Sequence, residues 1–213
     1  MLSRIQIALQ KLYDLDLDED VEDFVCDEDT AREACGDEVE RREVLLVQED
    51  PDGVAVGLYV DQKAVDALKH AEDAWLDGKN FDAACLATEG VSHFVYLMFR
   101  AKNDEEVTQL ELELQAEVDK YATALLAGNG VGAIRARSRV LRHQLFDQIE
   151  YLDDETSESG RRYRLATKLA ARFAEHLEET YVARGDFAAL SRALRRFYRM
   201  SGQQKLEVLG GAH

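Results

Sequence analysis

Residues 81–99, FDAACLATEGVSHFVYLMF, read as a helix that is apolar on nearly every side, yet Glu89 and His93 stand inside it one turn apart. The other polar groups of this stretch are small (Thr88, Ser92) or lie at its start (Asp82). A helix that is apolar all round belongs at the centre of a bundle or against a second copy of the chain. Taking a carboxylate and an imidazole out of water costs several kcal/mol unless each is paired or coordinates something. Any fold built on this helix must therefore supply partners for two ionisable groups.

The rest of the chain can enclose such a helix. With 213 residues, 46% of them hydrophobic, it can bury one substantial core without staples. No apolar run approaches the ~20 residues needed to span a bilayer, and MLSRIQIALQKLYDLDLDED lacks the basic start and apolar middle of a secretory signal, so a cytoplasmic protein without a transmembrane segment is expected. Cys26, Cys35 and Cys85 are an odd count without CxxC spacing, which fits reduced thiols. Cys85 reads as a small core residue, and the acids around Cys26 and Cys35 make poor nucleophiles of them. Charge is unevenly placed. Residues 1–130 carry 32 acids and 11 bases, residues 131–213 carry 11 and 15, and the net charge is −17. The acidic first part repels phosphate backbones and disfavours general nucleic-acid binding.

The periodicity predicts an amphipathic helix over 2–13, with apolar residues at 2, 5, 8, 9 and 12. The acid-rich run that follows is expected to be a solvated segment. Its alternating aspartates resemble a calcium loop, but counting from Asp14 puts Glu19 where the turn needs glycine and Val25 where a bidentate glutamate belongs. Glu43-Val-Leu-Leu-Val47, the turn Asp50-Pro-Asp-Gly53, and Val54 to Val60 predict a β-hairpin. Helices are then expected from an Asp61 N-cap through Trp75, over about 80–101, from Asn103-Asp104 to a stop at Gly128-Asn-Gly130, and over 131–151. In the last of these, Ile134, Leu141, Leu145 and Ile149 point inward. Two more are expected over about 158–184 and 186–207. The expected fold is α+β, mostly α: a helical bundle with a small antiparallel hairpin near 43–60. One domain is expected over 1–213, comprising an N-terminal helix plus acidic segment (1–42), hairpin and core helices (43–130) and C-terminal helices (131–213).

Several helices place acids or histidines on one face. Glu89 and His93 are at i and i+4, as are Glu113 and Glu117 in LELELQAEVDKYA. His143, Asp147 and Glu150, and likewise Glu175, His176 and Glu179, share helix faces of the kind that usually stay in solvent. Two nitrogen or oxygen ligands one turn apart, with a third carboxylate from a neighbouring helix, suit zinc or another divalent metal.

Over about residues 44–126 the order of hairpin, helix with paired ligands and helix with glutamate resembles the core of zincin-type zinc metallopeptidases. Glu113-Leu-Gln-Ala-Glu117 is similar to their downstream ELQAD-type segment. The resemblance implies Glu89, His93 and Glu113 as metal ligands, zinc as the cofactor and peptide hydrolysis as the reaction. Glu89-Gly90-Val91-Ser92-His93 departs from His-Glu-x-x-His, with glutamate at the first histidine and glycine at the general base. What the resemblance then implies is a relative that kept the scaffold and lost the peptidase chemistry, or a divergent hydrolase with Glu117 as base.

Without a metal, Glu89 and His93 satisfy each other, or Arg100 or a C-terminal arginine neutralises the glutamate. The segment Ser191 to Met200 carries Arg192, Arg195, Arg196 and Arg199 on one side of a helix, a basic face suited to a partner or to the chain's own acidic part. No Gly-x-Ser-x-Gly elbow is present, and Gly128-Asn-Gly-Val-Gly132 lacks the Lys-Ser/Thr of a phosphate loop. The expected function is a non-catalytic interaction or regulatory module with a strongly acidic surface, a protein partner and no cofactor. The alternative is a zincin-like, metal-dependent hydrolase using Glu89, His93 and Glu113.

Overall fold

The computed structural model describes residues 1–36, 42–50, 53–69, 80–127, 131–149, 151 and 153–210. Among them are nine α-helices and one two-stranded antiparallel sheet, an α+β fold that is mostly α. No helix among the described residues is long and apolar enough to cross a membrane.

The apolar segment forms α4 (Phe81–Lys102), and the rest of the fold is arranged around it. One side takes α5 (Gln109–Leu126), which lies antiparallel to α4 so that Arg100 meets Glu111, His93 meets Glu113 and Ser92 meets Asp119. Another side takes α1 (Leu2–Tyr13), whose Leu2, Ile5 and Leu9 are buried as its periodicity predicts, while Leu12 is half-buried, Ala8 is exposed and Tyr13, outside the predicted stripe, is buried. The third side takes the hairpin of β1 (Glu43–Asp50) and β2 (Gly53–Val60), together with α3 (Gln62–Lys69). In the hairpin, Leu45 lies opposite Leu58 and Val47 opposite Val56, so these four share the face turned toward α4. Asp61 caps α3 by accepting the Lys63 N–H at 2.9 Å. The predicted continuation of this helix to Trp75 lies outside the described residues, as do Pro51-Asp52 of the hairpin turn and the stop at Gly128-Asn-Gly130.

The remaining helices are α6 (Val131–Arg142), extended by a π-helical turn over His143–Asp147, and α7 (Glu158–Leu177), extended likewise over Glu178–Val182. Ile134, Leu141 and Leu145 are buried as predicted, and Ile149 is half-buried. Four boundaries differ from expectation. The helix expected over 131–151 ends at Asp147, with Gln148 outside helical geometry. The acidic stretch holds a short turn at Val21–Phe24 and a helix, α2 (Glu28–Cys35), because Asp20 and Asp27 accept the Glu22 and Thr30 N–H groups and act as N-caps. Helix α5 starts at Gln109, not at Asn103, because Thr108 and Glu111 form a capping box while Asn103 closes α4. The predicted final helix is two, α8 (Phe187–Tyr198) and α9 (Gly202–Gly210), with Ser201 at the break capping the second.

Gly90 explains how the hairpin comes so close to α4. A Cβ built there would lie 2.9 Å from Glu43 Cγ and 3.1 Å from Val60 Cγ2. The position to which the zincin resemblance assigns a general base is thus covered by the hairpin. We expect Gly90→Val to lower stability by about 2 kcal/mol through overpacking, despite the better intrinsic propensity of valine in a helix. Urea unfolding checks the loss, and a stability equal to wild type would show that the hairpin moves freely on this face.

Candidate functional site

The sequence leaves partners for Glu89 and His93 unassigned, and the fold gives each a different one. His93 is 6% exposed. Its Nδ1 lies 3.3 Å from Glu43 Oε1 of β1, and its Nε2 lies 3.6 Å from Glu113 Oε2 of α5. Arg162 of α7 approaches the other Glu113 oxygen at 3.9 Å. Burial pulls the imidazole down, but Glu43 and Glu113 outweigh it and hold His93 well above its ordinary value, so it is an imidazolium at neutral pH. The Glu43 carboxyl is pushed up by burial, against the pull of His93.

Glu89 is less sealed, with 22% of its side chain exposed, and its carboxylate accepts a hydrogen bond from Lys120 Nζ at 3.1 Å. The same ammonium donates to Glu117 at 2.8 Å. Burial pulls Lys120 down, while Glu117 and Glu89 overcome it and hold its value well above the ordinary one. The Glu117 carboxyl is raised by burial, opposed by Lys120. Arg100, offered by the sequence as a partner for Glu89, turns instead to Glu105 at 2.8 Å and Glu111 at 3.8 Å. Glu89 and His93 therefore do not neutralise each other. They belong to two neighbouring clusters on the α4–α5 interface.

A third cluster is hidden deeper. The Asp119 carboxylate accepts from Ser92 Oγ at 2.6 Å, from Gln115 Nε2 at 2.8 Å and from the Tyr13 hydroxyl. Gln115 in turn accepts from Lys205 Nζ of α9 at 2.8 Å, and this fully buried lysine also donates to Tyr96 at 2.9 Å. Burial pushes Asp119 up to about 6 and Lys205 down to about 7. None of Asp119, Lys120, Lys205, Glu43 or Arg162 was singled out in the sequence. Lys120, one turn from Glu117, was readable there; the others become partners only through tertiary packing.

His93, Glu43 and Glu113 are among the residues lining a groove of about 1000 Å³ between the hairpin, α4, α5 and the start of α7. His93 Nε2 and Arg162 Nε are buried N–H groups without a hydrogen-bond partner. The zinc ligand set implied by the resemblance fits this arrangement in two of its three members. His93 Nε2 and Glu113 Oε2 face each other, and Glu43 on Nδ1 is the kind of carboxylate that orients a metal-bound imidazole. The third, Glu89, is held by Lys120, and Arg162 brings a positive charge to Glu113. Among the described residues no three His, Cys, Asp or Glu side chains come together as a metal-holding group.

The other candidates lie at the surface. His143 and Asp147 pair with each other in solvent, and Glu150 lies outside the described residues. Glu175 pairs with Arg142, and His176 is exposed. On α8, Arg195 and Arg199 donate to the Lys11, Leu12 and Asp14 carbonyls at the end of α1, where cations complement the helix dipole; Arg192 and Arg196 are exposed. Among the thiols, burial and then Asp27 raise Cys26, and burial pushes Cys85 up to about 12. Comparison of the chain with protein families, curated proteins and solved structures gives no match.

Proposed function

We propose that the protein is a non-catalytic interaction or regulatory module: a rigid bundle held by internal polar locks, presenting a strongly acidic surface to a protein partner. The observation that carries this reading is Lys120. It occupies both Glu89 and Glu117, the carboxylates that a hydrolytic site would need free as ligand and base. The exposed acids of the first part of the chain are then available for steering a basic partner.

A second reading, a metal-dependent hydrolase with Glu89, His93 and Glu113 as ligands and Glu117 as base, draws support from the unpartnered His93 Nε2 facing Glu113. It requires Glu89 to leave Lys120. One experiment separates the two: elemental analysis of the untagged protein, with thermal unfolding in chelator. We expect substoichiometric zinc and an unchanged midpoint. Stoichiometric metal that is lost in Glu89→Ala and His93→Ala, with a midpoint falling by several degrees in chelator, would favour the hydrolase.

A further inference from the structure

We infer that the groove beneath the hairpin docks an extended, basic segment of a partner protein, a step that rests on the interaction-module reading and gives it a surface and a class of ligand. Two features of the groove point to one occupant. The first is its wall. The inward face of the hairpin, which buries Leu58 and Val60 against α4, continues outward to Val47 and Val54, exposed by 46% and 61%. These valines line the groove together with Leu97, Met98 and Leu112. An apolar sheet face that outruns its own core is half of an interface.

The second feature is the rim, where Glu19, Asp104 and Glu106 are exposed and Glu105 is paired with Arg100; among the described lining residues Arg162 is the one arginine or lysine. The rim attracts cations and repels anions. His93 and Arg162 also line the groove, but their Nε2 and Nε atoms are closed off from it and face Glu113, so they offer a ligand no contact. An extended basic peptide fits both features: alternate side chains for the valine wall, and arginines or lysines for the rim.

The test uses a fluorescein-labelled peptide of alternating arginine and valine, about eight residues and therefore about 26 Å long. Its controls replace arginine by glutamate, or valine by glycine. Fluorescence anisotropy with the full chain at low salt is expected to show the Arg-Val peptide binding at least about tenfold tighter than either control. Val54→Asp and Glu106→Lys, both at exposed positions, should each weaken it about tenfold, with unfolding curves matching wild type. Arg-Val binding that ignores both substitutions, or that maps to residues 14–36, overturns the groove assignment while leaving an acidic interaction surface in place. Absence of binding by every basic peptide at low salt overturns both. Self-association of the wild type that Val54→Asp abolishes would make a second copy the occupant and overturn the partner peptide.

Discussion

Replacing Asp119 by alanine is expected to remove about 4 kcal/mol of stability, a large share of the 5–15 kcal/mol typical of a folded domain, whereas asparagine at the same position should cost about 1 kcal/mol or less. Asp119 is 1% exposed and accepts three hydrogen bonds, from Tyr13, Ser92 and Gln115. Alanine leaves all three donors buried without an acceptor and opens a cavity beside them. Asparagine keeps an oxygen for Tyr13 and Gln115, and the Ser92 hydroxyl can turn to accept from its amide.

The charge itself is not what the core needs. Burial raises the Asp119 carboxyl from an ordinary value near 3.8 to about 6, so the folded state holds a proton that the unfolded chain has already released. Stability therefore falls as pH rises through this window, by about 3 kcal/mol for a shift of this size. The asparagine variant should lack that slope. Lys205 works in the opposite direction and in another window: with its value lowered to about 7, the folded state binds fewer protons between 7 and the ordinary lysine range, so its contribution grows with pH there. Urea titrations of wild type and the two variants at several pH values between 4 and 7 read the Asp119 effect apart from that of Lys205. A loss in Asp119→Asn as large as in Asp119→Ala would show that the ionised carboxylate, not the acceptor geometry, holds the network.

These clusters also show where reading the sequence stops. The hairpin, the apolar central helix and the inward stripes of α1 and α6 follow from periods of two and of three to four residues, which are local properties. The antiparallel match of α4 with α5 was within reach as well: once a short loop joins them, His93 falls opposite Glu113 and Glu89 opposite Glu117. What remained hidden were partners contributed from far along the chain. Glu43 is 50 residues from His93, and Lys205 is 90 from Gln115. Helix α5 was the most deceptive element. It buries Glu111, Glu113, Gln115, Asp119 and Lys120, yet of these only Glu113 stood out in the sequence as an inward-pointing polar group. The acidic segment is solvated as expected, but two of its aspartates, Asp20 and Asp27, also cap a short turn and a helix.

His93 should give the second large effect, and one with a distinctive dependence on pH. Replacing it by leucine leaves Glu43 and Glu113, each about nine-tenths buried, facing one another across the space of a lost cation, with Arg162 at 3.9 Å from Glu113. The expected loss at neutral pH is about 3 kcal/mol. It should shrink on both sides. As pH falls toward the raised value of Glu43, the variant regains stability, because a carboxyl in the vacated pair takes up a proton and the repulsion goes; the wild type gains less there, since its imidazolium already neutralises the pair.

As pH rises, the wild type is the one that changes. The folded value of His93 lies above the unfolded value of about 6.5, so the native state binds the extra proton, and the stability this supplies is complete below 6.5 and lost as pH climbs through the folded value. Lys205 is common to both proteins and cancels in the difference. The difference in unfolding free energy between wild type and His93→Leu should therefore peak near neutrality and decline toward both acid and alkali. A difference that stays flat from pH 5 to alkaline values would mean that His93 is held by packing alone, and the imidazolium between Glu43 and Glu113 would then not be the lock that fixes the hairpin on the bundle.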